Sequence, residues 1–313
     1  FLEAYNQLNQ QQKEAVDEIY GPVMVIAGPG TGKTQLLAVR VCNILDKTDS
    51  DPSNILCLTY TDAGVTAMRN RLARFMGSDA YKVGIHTYHS FCNLIIRENP
   101  EKFSEYRDLA NADELEIAEI LVELINDLPK DHPNKRLSGE IYYDKNKWKE
   151  LFDTMKKEGW SAEFIKSKIE EHKIYLRETS IYNRKTGDKN KGDFNERVYN
   201  EQVDKLSFAE NGVDLISKYN QALKKKDRID YNDSILFVLD ALKNDESLRL
   251  KYQEKYQFVL ADEYQDTNGT QNDLIFTLIE NEFIDQPNIF VVGDDDQSIF
   301  RFQGANLNNI IEF

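Results

Sequence analysis

Residues 27–34 read AGPGTGKT, and residues 258–268 read FVLADEYQDTN. In the first, Gly28, Gly30 and Gly32 lead into Lys33 and Thr34, between the apolar run PVMVIA and a helix-like segment. Glycines so spaced let backbone N–H groups converge on phosphate oxygens, and a helix start adds partial positive charge. Lys33 then reaches β- and γ-phosphates, and the Thr34 hydroxyl is suited to coordinating Mg2+. Ala27 stands where the usual pattern has a further glycine, a variant that leaves three. In the second stretch an apolar strand ends at Asp262–Glu263, which puts both carboxylates at the C-terminal edge of a sheet, where ligands of open α/β folds gather. Asp262 reads as the acid on the Mg2+ side, and Glu263 as the base that orients or activates water. The bland use of such acids is to cap a helix, and Asp266 or Thr267 is expected to cap the one that follows.

A third stretch, VVGDDDQSIFRFQGA (291–305), sets three carboxylates and Gln297 beside Phe300, Arg301 and Phe302. A solvated turn has a use for the aspartates but none for the neighbouring aromatic rings.

Behind these residues lie alternating elements. The β-rich runs PVMVIA (22–27), NILCLT (54–59) and YKVGIH (81–86) are each followed by a helix-like segment, at 33–47, 62–76 and 87–98. That alternation implies right-handed βαβ units and a parallel sheet. From residue 100 to 228 the pattern gives way to charged sequence of helical period, such as ADELEIAEILVELIND, with TGDKNKGD as a loop tip. Strand character returns at QFVLAD (257–262) and NIFVVGD (288–294), separated by a helical segment at 267–282. The economical organisation is one discontinuous α/β domain, residues 1–99 and 229–313, interrupted by a mainly α-helical insertion at 100–228. Two α/β domains in series would leave each with too few strands.

The net charge of −15 argues against a surface that attracts nucleic acid everywhere, though not against a local basic groove. The clusters KKKDR (224–228) and NRKTGDKNKGD (183–193) read as solvated surface. No apolar run approaches the roughly 18 residues a membrane span needs. The start, FLEAYNQLNQ, lacks the layout of a secretory signal, although it opens on Phe. Cys42, Cys57 and Cys92 are unpaired at metal-ligand spacing and are expected to be reduced core residues of a cytoplasmic protein.

LNQQQKEAV (8–16), AGPGTGKT, LTYTDAGVTAMRNRL (58–72), HTYHSF (86–91), RIDYNDSIL (228–236), DEYQDTN and GDDDQSIFRFQGA follow one another in this order. Together they resemble the N-terminal half of a superfamily 1 DNA helicase of the UvrD/Rep/PcrA type. The resemblance implies a RecA-like P-loop domain with helices on both faces of its sheet, and an accessory insertion near the junction of single and double strands. It implies that Gln12 reads adenine through paired amide hydrogen bonds. By position, Ala27, Gly28, Pro29, Gly30, Thr31, Gly32, Lys33, Thr34 and Gln35 would surround ATP. Gln297 would sit near the γ-phosphate and couple its state to DNA, alongside Lys33, Asp262 and Glu263 as the catalytic set. Tyr60, Thr61, Thr87, His89, Phe300 and Phe302 would line a single-stranded DNA track, since aromatic faces stack any base. Bland readings stand beside these: an exposed helix residue for Gln12, core packing for Tyr60 or one phenylalanine, a buried or capping histidine for His89.

Two departures from the family pattern bear on activity. Gln303 occupies the position of an Arg that in the family reaches toward the γ-phosphate, and Arg301 could partly substitute only if the chain turns it to the same side, which a period of two permits. Gln35 replaces an Arg that some relatives place near the nucleotide. The resemblance also implies a second RecA-like domain, closing on ATP and driving 3′→5′ movement, that has no counterpart in this sequence. The expectation is therefore an N-terminal fragment that binds nucleotide weakly and hydrolyses it poorly. Two further function classes fit: an ATP-regulated DNA-binding protein without unwinding, and an unrelated phosphate-loop enzyme such as a small-molecule kinase.

Overall fold

The computed structural model describes residues 1–28, 30–106, 108–135, 141–180, 192–281 and 286–294, the side chains of 141–144 excepted. The chain divides into two compact units, Phe1–Arg107 with Asn232–Phe313, and Asp108–Tyr231.

The first unit begins with α1 (Leu2–Asn6) and α2 (Gln10–Asp17), followed by β1 (Val23–Ile26), α3 (Lys33–Lys47), β2 (Ile55–Thr59), α4 (Asp62–Met76), β3 (Gly84–Thr87) and α5 (Tyr88–Glu98). The second unit contributes β4 (Ala110–Asn111), α6 (Glu114–Asn126), α7 (Ile141–Glu158), α8 (Ala162–Thr179), α9 (Glu196–Gly212), α10 (Ile216–Lys225) and β5 (Arg228–Ile229). The chain then returns to the first unit with α11 (Asp233–Asn244), α12 (Glu246–Lys255), β6 (Phe258–Ala261), α13 (Gly269–Ile279) and β7 (Ile289–Gly293).

Five strands form an all-parallel sheet in the order β1-β7-β6-β2-β3. Their side chains alternate between two cores, as a period of two demands. Ile55, Cys57, Phe258, Leu260, Phe290 and Val292 pack with α3 and α4 residues such as Leu36, Val39, Met68 and Leu72. Leu56, Leu58, Val259, Ala261, Ile289 and Val291 pack with Phe91, Ile95, Val238, Leu242, Leu274 and Leu278 of α5, α11 and α13. A sheet covered on both faces explains why its strands read as continuous apolar runs. This is the RecA-like α/β architecture that the motif order implied. The cysteines are all free and buried.

The helical unit has a core of its own. Ile117, Ile120, Leu121 and Leu124 of α6 meet Trp148, Phe152 and Met155 of α7 and Tyr219 and Leu223 of α10. The short strands β4 and β5 pair in parallel near its two ends, where Arg228 Nε donates to both oxygens of Glu116 at 2.8 and 3.0 Å. Among the described residues, no helix is long and apolar enough to cross a membrane.

Candidate active site

Strand register assembles the site. Ile26 of β1 is level with Gly293 of β7, and the next amide, Ala27 N–H, donates to the Gly293 carbonyl at 2.9 Å. On the other flank of β7, Ala261 pairs with Val291, so the chain leaves β6 at Asp262 on the same sheet edge. The start of the glycine loop, Asp262–Glu263 and Asp294 therefore converge at the C-terminal ends of three adjacent strands.

The loop is built to leave its centre open. Gly30 and Gly32 have φ of 74° and 83°, the left-handed region that favours glycine. A Cβ placed on Gly28 or Gly30 would meet nothing within 4 Å. Gly32 is the N-cap of α3 and supplies no side-chain cap, so the first amides of that helix are left for an anion. Thr31 closes the turn by donating from its hydroxyl to the Gly28 carbonyl at 2.7 Å.

Lys33 opens α3 and is nearly buried. Its ammonium lies 2.9 Å from Glu263 Oε2 and 3.8 Å from Asp294 Oδ2, but neither approach has hydrogen-bond alignment. A buried cation held by charge alone, beside an open cradle of amides, fits a bound polyphosphate. Asp262 accepts a hydrogen bond from the Glu263 amide at 3.0 Å and another from the Thr34 hydroxyl. Burial, with the Glu263 charge adding to it, pushes the Asp262 carboxyl up to about 6. Asp266 is raised as well, by burial and then by Glu263. A hard divalent cation beside Thr34 and Asp262 would relieve that crowding of negative charge, so the donor set suits Mg2+. Glu263 itself adopts a left-handed backbone, φ 50° and ψ 45°, at the sharp exit from β6.

Gln12 has two roles at once. Its Oε1 accepts from the Asn9 amide at 3.0 Å in a capping box at the start of α2, and its Nε2 donates to the Thr31 carbonyl at 3.3 Å. A side-chain amide has two donors and two lone pairs, so one of each remains. At the other end of α2, the buried guanidinium of Arg40 in α3 donates to the carbonyls of Ala15, Val16 and Ile19 at 3.2, 2.8 and 2.9 Å. Asn43 adds a bond to the Val16 carbonyl at 2.8 Å. Desolvation draws Arg40 down to about 10, which leaves it charged at neutral pH. Neither residue was singled out by sequence. The available signal was a lone Arg and Asn inside the apolar run LLAVRVCNIL.

The expected DNA-track residues sit along the same sheet edge, after β2 and β3. Tyr60 is 39% exposed just past β2. Thr61 caps α4, accepting from the Gly64 amide at 3.0 Å. Thr87 is buried and engaged in a capping box with Ser90 at the start of α5. His89 is bonded to Asn232, and burial pulls its imidazole down to about 4, so it is neutral at physiological pH. Gln35 is partly buried in the first turn of α3. Pro29, Gln297, Phe300, Arg301, Phe302 and Gln303 lie outside the described residues.

The capping expectation after Glu263 is corrected. A 3-10 turn at Tyr264–Asp266 delays the helix, and the cap of α13 is Asn268, reciprocated by Gln271, rather than Asp266 or Thr267. Sequence reasoning also passed over Gln265. It is 1% exposed, its Nε2 donates to Glu263 Oε2 at 2.9 Å, and its Oε1 accepts from the Asp294 amide at 2.9 Å.

The sequence profile of the UvrD/REP helicase N-terminal domain matches residues 8–313. The ATP-dependent DNA helicase PcrA of Staphylococcus aureus is 28% identical over 310 residues, covering 98% of this chain and 36% of that protein. PcrA of Staphylococcus epidermidis is 28% identical over 307 residues, with the same shares. The chain thus spans about a third of the length of the curated relatives it matches.

Proposed function

The chain belongs to the UvrD/REP helicase N-terminal domain family, and from that premise we propose that it is the ATP-binding portion of an ATP-dependent DNA helicase. The observation that carries the reading is the cluster at the sheet edge: an open glycine cradle, the nearly buried Lys33, and Asp262 beside Thr34.

On this reading, amides at the start of α3 and the Lys33 ammonium hold the triphosphate. Thr34 and Asp262 hold Mg2+, which when bound supplies positive charge against the β- and γ-oxygens. Gln12 offers its remaining N–H and lone pair to the adenine edge, favouring ATP. Glu263 takes the proton of the attacking water once Lys33 has turned to a phosphate. Gln297 reports the γ-phosphate to the DNA side.

Tyr60, with Phe300 and Phe302, offers ring faces to successive bases of a single strand, and Thr61, Thr87 and His89 line the same track. Because His89 is neutral, its part there is stacking or hydrogen bonding rather than charge pairing. The helical unit contacts the duplex near the junction, and a second RecA-like domain of the parent protein closes the nucleotide cleft. Strand separation runs 3′→5′.

The experiment is a pair of titrations on the protein, one with a fluorescent ATP analogue in Mg2+ and one with a labelled single-stranded oligonucleotide over a salt series. Saturable binding in both, with DNA affinity falling as salt rises, supports the reading. Nucleotide binding without single-strand affinity would favour a small-molecule phosphotransferase instead.

A further inference from the structure

Gln265 lies between the two carboxylate-bearing ends of β6 and β7, and its amide faces both. The orientation of that amide follows from the chemistry of its partners. The Asp294 N–H requires an acceptor and the Glu263 carboxylate requires a donor, so Oε1 must face Asp294 and Nε2 must face Glu263. The distances, 2.9 Å to each, agree. The fit is close. A Cβ added to Gly293 would come within 3.1 Å of Gln265 Oε1, so glycine at the end of β7 is what lets the amide approach.

Glu263 Oε2 is shared between Lys33 and Gln265, at 2.9 Å each. A triphosphate in the glycine cradle offers Lys33 more negative charge than one carboxylate does. Once the lysine turns away, the Gln265 amide is the described contact that continues to hold the Glu263 side chain. Glu263 needs such a hold, because its left-handed backbone is an uncommon conformation for a non-glycine residue and stays put only when neighbours fix it.

We propose that Gln265 is a positioning residue that keeps the Glu263 carboxylate aimed at the phosphate side after Lys33 leaves it, and ties that aim to the end of β7 at Asp294. This rests on Glu263 being the base of an ATPase. Glutamine is the side chain that does both jobs: glutamate at 265 would still accept from Asp294 but could only repel Glu263, and methionine would do neither.

The test compares Gln265→Glu and Gln265→Met with the unmodified protein, in the whole chain that carries this unit. Three quantities are read: hydrogen exchange at the Asp294 amide, affinity for a fluorescent ATP analogue, and kcat and KM for ATP. The expected result is faster Asp294 exchange in Gln265→Met and retained protection in Gln265→Glu. Both variants should lose about 10–100-fold in kcat, with nucleotide affinity nearly unchanged. If Gln265→Met does not fold, Gln265→Glu carries the kinetic arm alone. A folded Gln265→Glu with unchanged kcat would overturn the proposal, as would Asp294 exchange unaltered in a folded Gln265→Met. No ATP turnover by the unmodified whole protein would overturn the ATPase reading and this proposal with it, whereas turnover insensitive to both variants sinks this proposal alone.

Discussion

The ammonium of Lys33 and the carboxylate of Glu263 face each other at 2.9 Å across the phosphate loop. The group that should grip a phosphate and the group that should act on water neutralise one another, and a nucleotide has to part them.

That contact predicts opposite effects on binding and turnover. Glu263→Gln removes the charge competing for Lys33, so affinity for an ATP analogue should rise while hydrolysis falls about 10²–10⁴-fold. Lys33→Met should abolish measurable analogue binding. Fluorescence titration and single-turnover hydrolysis read both quantities, and weaker nucleotide binding by Glu263→Gln would count against the competition.

Asp262 should cost the ligand-free protein stability at neutral pH. Its folded-state carboxyl lies near 6 against an ordinary 3.8. Below pH 3.8 it is protonated whether folded or unfolded, and the neutral form is favoured by the fold. As pH rises through about 6 that advantage is lost, a swing of about 3 kcal/mol. Asp262→Asn should therefore melt about 5–10 °C higher than the unmodified protein at pH 7.5, with the difference shrinking toward pH 4. Mg2+ should narrow the gap by stabilising only the unmodified protein. Parallel melting curves across pH would refute this if they stayed coincident.

Tyr60 should contribute to single-strand affinity out of proportion to its place at a strand end. A stacked base is worth roughly 1–3 kcal/mol, so Tyr60→Ala should weaken oligonucleotide binding about 5–100-fold. Anisotropy titration at fixed salt measures it. An unchanged affinity would assign the ring to surface packing.

In the helical unit, Gly212 is pressed against Trp148. A Cβ there would sit 2.9 Å from the indole ring and 3.2 Å from Leu151. Since Trp148 is fully buried, the ring cannot swing into solvent, and Gly212→Ala should cost about 1–3 kcal/mol. Faster hydrogen exchange in α7 and α9 would show the loss localised to this unit.

Much of the architecture was legible because buried parallel strands announce themselves. ILCL (55–58) and FVLA (258–261) are apolar throughout, and the structure shows why: Ile55 and Cys57 face one core while Leu56 and Leu58 face the other. The phosphate loop was equally plain, since glycine is demanded where φ is positive. What escaped were polar residues used inside the fold. Arg40 is recognisable only by carbonyls more than 20 residues before it, and Gln265, although next to Glu263 in sequence, only by the Asp294 amide that strand register brings to it. The start of α13 was missed for a different reason. Asn268 and Gln271 have capping-box spacing, but the 3-10 turn before them placed Asp266 and Thr267 where a direct strand-to-helix exit would put the cap.

Arg40 also has a mechanical role. Its guanidinium grips the Ala15 and Val16 carbonyls at the far end of α2 and the Ile19 carbonyl just beyond it, while Lys33 stands at the near end of its own helix, α3. Gln12, at the opposite end of α2, is in turn bonded to the loop at Thr31. The two helices thus act as the arms of a calliper, pinned at one end by Arg40, with the proposed base-reading and phosphate-gripping groups at the jaws. The buried clasp and the Gln12–Thr31 bond together hold the span between the jaws, so on the proposed reading the fit of a nucleotide becomes a matter of length as much as of chemistry.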